Sequence, residues 1–297
     1  MDLSEYHSPI TSLFRDDSAK ALLSEEQVEF FNGQGFLSGL EILSFAEIEA
    51  LRADLSGVIS GKYAEDPLFY EYNRNESDDR NRTLFHALGA WRVSPAFHDL
   101  IFHPALVKAF SQLLGGPVRF WHDQVFVKPA RDGAVVAWHQ DYSYWTRTKP
   151  MAHMTAWIGL DDSNEENGCV HYVLGSHRWN LLPRKCLANN MNAVFDTLTD
   201  ERRQDFRPVP SILKAGQASF HHPLTLHGSF ENRSERPRRA AVVNVFLDGV
   251  RSDSDEPLLA GVPAIQSGNV IDGRFFPLLG SAKILTTDAL PRASHPT

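Results

Sequence analysis

Two cysteines in 297 residues, Cys169 and Cys186, make no disulfide framework, and no CxxC or Cys/His cluster has the spacing of structural zinc. Both are read as reduced thiols of a cytoplasmic protein. Any block of Lys or Arg is also missing. With 29 basic against 37 acidic side chains and a formal charge of −8, a nucleic-acid backbone is not the expected partner. No run of eighteen apolar residues occurs, and MDLSEYHSPITSLFRDD has no basic segment leading into an apolar one. Neither a membrane span nor a secretory leader is therefore expected. The final SHPT is not a peroxisomal SKL address. What the chain does have is 42% hydrophobic and 11% aromatic residues, enough to fill one large core without disulfide support.

The chain reads as a single domain. Residues 1–23 are polar and aperiodic, an expected loose arm. Ser24, followed by Glu25, Glu26 and Gln27, predicts a capped helix through Phe31 that stops near Gly33 and Gly35. Ile48, Leu51, Leu55 and Ile59 predict a second helix starting near Ser44. A third is expected from Pro104 to Leu114, ended by Gly115, Gly116 and Pro117, so that residues 24–115 form a helical part. The polar stretch 71–83 reads as a solvated loop. From 116 to 250 the texture is short β-rich runs with Gly, Asn and Asp punctuation, which predicts a mainly β core, antiparallel sandwich or barrel, rather than βαβ units. Within it, residues 179–212 read as a lid-like insert, and 251–297 as a Pro/Gly/Ser/Asp-rich tail.

The stretch AWHQDYSYW interrupts an apolar run with His139 and Asp141. On a β-strand, residues i and i+2 face the same way, so an imidazole and a carboxylate would meet in one space. A third ligand is sought on a distant strand, where FHHPLTLHGSFENRSERPRRA offers His221, His222 and His227. Pro223 breaks the strand after the first two. His227 precedes Gly228 and Ser229, where a ligand could approach the backbone, and is followed by Arg238, whose guanidinium can grip a carboxylate with two hydrogen bonds. Two histidines and a carboxylate on one face of iron leave three positions open, the facial triad of non-haem Fe(II) oxygenases.

The segments EQVEFFNGQGFL, WHQD, NGCVHYVLGSHR and LHGSFENRSERPRRA, in this order and spacing, resemble the phytanoyl-CoA dioxygenase family over roughly residues 24–250. The resemblance implies a double-stranded β-helix, a jelly-roll, cupin-like barrel with flanking helices, that uses Fe(II), 2-oxoglutarate and O2. It makes His139, Asp141 and His227 the iron ligands. Arg238 and Ser229 then bind the distal carboxylate of 2-oxoglutarate, Trp157 lines its pocket, and Gln124 and His86 make further cosubstrate contacts. Arg239 points with the apolar residues of its strand and reads as a salt-bridge residue. His153, His171, His177, His221 and His222 read as structural. The expected reaction is hydroxylation of an unactivated C–H bond in a small or medium metabolite, with succinate and CO2 as co-products. Desaturation, epimerisation and cyclisation are the variants at the same site, and a non-catalytic cupin-like binding barrel is the rival. Tyr142, Tyr144 and Trp145 stand where they could line a substrate pocket. No basic cluster suggests a CoA thioester or another polyanion.

Overall fold

In the computed structural model, which describes residues 1–14, 22–184, 186–187 and 190–280, Ser24 and Ser44 open helices in the same way. Each serine hydroxyl accepts from the amide three residues on, and the side chain there, Gln27 or Glu47, accepts from the serine amide. Such a reciprocal pair satisfies two amides that a helix start leaves bare. Helix α1 (Glu25–Gln34) ends at Gly35, whose φ of 83° suits glycine. Helix α2 (Phe45–Ile59) buries Ile48, Leu51 and Leu55, with Val58 completing the face in place of the expected Ile59, which is exposed. Helix α3 (Pro95–Leu100) and helix α4 (Pro104–Leu114) follow, each with proline in its first turn.

The molecule is mainly β, and its sheets are antiparallel. One sheet of eight strands runs in the order β1 (Phe36–Glu41), β10 (Gln217–His221), β7 (His153–Gly159), β12 (Arg238–Leu247), β4 (Val118–Lys128), β3 (Phe85–Leu88), β2 (Glu71–Asn73), with β14 (Leu278–Leu279) also on β4. A second runs β5 (Val136–His139), β11 (His227–Ser229), β8 (Val170–Val173), β9 (Pro208–Pro210), and β6 (Thr148–Lys149) pairs with β13 (Arg251–Ser252).

Strand alternation decides what faces where. On the helix-covered face of the large sheet, Ala156, Ile158, Phe220, Ala241, Val243 and Val245 join Leu51, Leu55, Leu106 and Phe110 in one core. The intervening residues face the small sheet, where Trp157, Ala240 and Val242 pack on Val170 and Tyr172. Arg238, Asn244, Thr155, Ser219 and His221 share that inner side by the same period of two, and all are buried.

Four expectations change. Residues 24–115, read as a helical part, also supply β1, β2 and β3 to the large sheet. Residues 1–14 of the supposed loose arm are pinned: Leu3 and Phe14 are buried, Asp2 bonds to Arg92 and Arg274, and Asp99 accepts from the amides of Ile10 and Thr11. The rest of that arm falls partly on residues 15–21, outside the described residues. The insert 179–212 is docked, since Leu182, Val194 and Leu198 are buried against Trp138, Val173 and Leu226, behind the strands that carry His139 and His227. Residues 251–280 of the tail return to the sheet and bury Phe276, while 281–297 lie outside the described residues. No helix among the described residues is long and apolar enough to cross a membrane.

Candidate active site

His139 and His227 are cross-strand partners on β5 and β11, with ring centroids 4.2 Å apart. Each ring is oriented by its own strand: His139 Nδ1 lies 2.8 Å from the Ala137 carbonyl and His227 Nδ1 lies 2.9 Å from that of Thr225. A proton donated from Nδ1 leaves the Nε2 lone pair free, the form in which imidazole binds a metal. Gly228 separates His227 from Ser229 because a Cβ there would stand 2.9 Å from the Val136 carbonyl oxygen.

Asp141 does not continue the strand of His139, as the i, i+2 argument assumed. The strand ends at His139, and Asp141 opens a short 3-10 turn, Asp141–Tyr144. The cause is Gln140, buried between them. Its amide donates to the Leu224 carbonyl at 2.9 Å and accepts from the Leu182 amide at 2.7 Å, which turns the chain over the sheet end. Asp141 Oδ1 is thereby set 3.4 Å from His139 Nε2 and 3.6 Å from His227 Nε2, and the three candidate ligand atoms all lie within 4.8 Å of one another. Burial alone would raise the Asp141 pKa, but the facing imidazoles of His227, His139 and His221 hold the carboxyl well below its usual range. Burial, reinforced by the neighbouring imidazoles, holds the His227 pKa well below the ordinary histidine value. A carboxylate and two imidazoles form a donor set suited to Fe(II).

From this cluster a cavity runs between the two sheets to Ser229 and Arg238, with Trp157, Val170 and Val242 in its walls. Arg238 is 1% exposed, its Nε has no hydrogen-bond partner among the described residues, and its guanidinium lies 5.1 Å from the Trp157 ring centre. Burial pushes its pKa down to about 10. Lys128 is fully buried beside it. Its Nζ donates to Ser229 Oγ at 2.6 Å and to the Phe230 carbonyl, and burial, with repulsion from Arg238, holds its pKa well below the usual lysine value. Among the described residues neither cation is ion-paired with a carboxylate. Unpaired buried charge is costly, so this end of the cavity is built for an anion. Arg239, by contrast, makes a two-pronged pair with Asp161 at 2.9 and 2.8 Å.

A second cavity, of about 640 Å³, is also walled by His139 and Asp141, and it extends past Glu71, Glu76, Tyr144 and Trp145. Gln124 and Phe126 line both cavities. His86 lines only the second, where its Nδ1 meets Glu76 at 2.7 Å and its ring stacks on Phe126. The structure thus brings Arg238, Ser229, Trp157 and Gln124 to the first cavity and leaves His86 out of its walls. Lys128, Gln140, Thr155 and Asn244 also take part in the site but were not singled out for it in the sequence, and His221, weighed there as a ligand and read as structural, stands behind Asp141. Lys128 ends an apolar run, and only the strand register sets it against Arg238.

Two imidazoles and a carboxylate converging beside an anion-binding end, between antiparallel sheets, are the features of a non-haem iron oxygenase. The phytanoyl-CoA dioxygenase (PhyH) family model matches residues 31–240, and the chain belongs to that family. It is 27% identical to the ectoine dioxygenase of Bordetella parapertussis over 76% of this chain and 74% of that protein. It is 29% identical to the phytanoyl-CoA dioxygenase of Arabidopsis thaliana over 78% of this chain and 92% of that one. In fold it resembles the α-ketoglutarate-dependent carbocyclase SnoK from nogalamycin biosynthesis, with a TM-score of 0.70, 23% identity, and coverage of 87% and 97%.

Proposed function

We propose that this chain is one oxygenase domain on a double-stranded β-helix that uses Fe(II), 2-oxoglutarate and O2 to hydroxylate an unactivated C–H bond of a small or medium metabolite. The observation that carries the reading is the convergence of His139, Asp141 and His227 where two cavities meet, one of them ending on a buried arginine, Arg238, that is ion-paired with no carboxylate among the described residues.

On this reading His139, Asp141 and His227 hold the iron. Arg238 clamps the distal carboxylate of 2-oxoglutarate with two hydrogen bonds. Ser229 donates its hydroxyl proton to the same carboxylate, since Lys128 already donates to its Oγ and leaves that proton free. Trp157 supports the guanidinium, and Gln124 stands between cosubstrate and substrate. Iron held here supplies the activation of O2, the decarboxylation that yields succinate and CO2, and the removal of hydrogen from the substrate. The protein's part is orientation and exclusion of water, and the apolar walls formed by Val136, Val170 and Val242 serve the second purpose.

The larger cavity has the volume of a site for a drug-sized molecule. Its walls carry Glu71 and Glu76, while Arg147 is engaged by the carbonyls of Pro257 and Leu258 and Arg184 stacks on Tyr144. The two glutamates thus stand against two arginines in these walls, which leaves no net positive charge, and an uncharged metabolite suits them better than a polyanion. A cytoplasmic location belongs to the same reading, supported by two free cysteines.

The test is anaerobic addition of Fe(II) and then 2-oxoglutarate to the purified chain. A visible charge-transfer band is expected, followed in air by succinate release that a metabolite library accelerates and Asp141→Ala abolishes. Metal uptake without the band would overturn the oxygenase reading in favour of a binding barrel.

A further inference from the structure

Asp141 presents Oδ1 to the two ligand imidazoles, and its other oxygen, Oδ2, is held by the protein. Thr155 Oγ1 lies 2.7 Å from Oδ2 and His221 Nε2 lies 2.9 Å from it. The threonine is an incomplete anchor. Its one hydroxyl proton faces two acceptors, because Asn244 Oδ1 stands 2.8 Å from the same Oγ1. His221 has no such conflict. Its Nδ1 lies 3.2 Å from the Tyr172 hydroxyl, which in turn lies 2.7 Å from Ser219 Oγ. One arrangement of protons satisfies the whole chain: Ser219 donates to Tyr172, Tyr172 to His221 Nδ1, and His221 Nε2–H to Asp141. All three of these donors are buried, on β10 and β8, away from exchange with water.

We propose that His221 is a positioning residue that makes Asp141 a one-oxygen ligand, through the relay Ser219–Tyr172–His221. The inference rests on the oxygenase reading, in which Asp141 binds iron. A carboxylate whose second oxygen is unclaimed can turn and bind through both, and partners behind a metal ligand govern that choice. A second bond from Asp141 would occupy a position needed by a chelating 2-oxoacid and O2. Holding Oδ2 from behind keeps that position open, and an unshared N–H does so more firmly than a contested hydroxyl.

The decisive variants are His221→Phe, which keeps a ring in the slot but removes the donor, and His221→Gln, whose amide carries an N–H to nearly the same place. Fe(II) affinity is measured anaerobically by equilibrium dialysis on the full chain, and 2-oxoglutarate is then added to read the visible band. Loss of a group behind a metal ligand typically weakens metal binding about 10–100-fold. His221→Phe is expected to fall in that range with a displaced or diminished band, His221→Gln to recover most of both, and Tyr172→Phe to move the same way by less. Native affinity together with an unchanged band in His221→Phe overturns the proposal. Should that variant not fold, an unchanged affinity and band in Tyr172→Phe overturns it instead. If the unsubstituted chain takes up no Fe(II), the oxygenase reading itself falls, a result distinct from a native chain that His221→Phe merely equals.

Discussion

Lys128 and Arg238 are register partners across β4 and β12, two buried basic side chains side by side, neither of which is ion-paired with an acid among the described residues. Lys128→Met, which removes the donor that orients Ser229, is expected to raise the 2-oxoglutarate concentration needed for half-maximal band formation by roughly tenfold, the effect of about 1.4 kcal/mol, the scale of one net hydrogen bond. Arg238→Ala is expected to raise it further. Arg239→Ala removes the Asp161 pair instead and is expected to leave the titration unchanged while lowering the unfolding midpoint. The same anaerobic titration measures all three, and a larger effect at Arg239 would mean that the neighbouring arginine is the anchor.

His86 should be silent in that assay. It lines the larger cavity only, so His86→Ala is expected to leave the cosubstrate titration as it is and to alter succinate release only when a substrate from the library is present. A weakened cosubstrate titration would return His86 to the role that the family resemblance implies.

Gln140 gives a prediction about stability. Gln140→Leu leaves the Leu182 amide and the Leu224 carbonyl without partners in a buried setting, at about 1–3 kcal/mol for each group. Denaturant titration should show the loss. Fe(II) affinity should fall with it, because the turn that presents Asp141 depends on this side chain.

Acid should unfold the protein through its buried histidines. His153, enclosed by Trp121, Trp145 and Phe246, and His222 are both held neutral by burial, with pKa values pushed down to about 3. In the unfolded chain a histidine takes up its proton near pH 6.5. The unfolded state therefore binds more protons between about pH 6.5 and 3, and stability is fully present above that window and lost as pH falls through it. His153→Phe is expected to move the acid-unfolding midpoint downward, measured by near-ultraviolet circular dichroism. An upward shift would show that the Thr148 contact of His153 outweighs its proton linkage.

Local patterns made much of this legible. The Ser24 cap, the start of α2 near Ser44, the α4 boundaries and the short β-rich runs of 116–250 follow from spacing alone, because capping and alternation are properties of neighbouring residues. The choice of Arg238 over Arg239 followed from the same alternation along β12. What stayed hidden needs tertiary register. His221 looked like one more core histidine because nothing near it in the chain announces Asp141, eighty positions away. Lys128 meets Ser229 from 101 positions away. The N-terminal arm looked loose because its anchors, Arg92, Asp99 and Arg274, are remote and its own residues are polar. The Asp141 turn was misjudged because Gln140 acts through partners on two other segments.

The pairing of His227 and Ser229 on one face of β11 has a consequence for cosubstrate choice. They are separated by a single strand repeat, roughly 6.5 Å of rigid backbone. The three-ligand cluster and the Ser229 end of the cavity are thus spaced by the peptide chain itself, while the Arg238 guanidinium closes the far end from β12. On the proposed reading, in which His227 holds iron and Ser229 meets the distal carboxylate, the strand acts as a ruler, and dicarboxylates one methylene shorter or longer than 2-oxoglutarate are expected to bind more weakly.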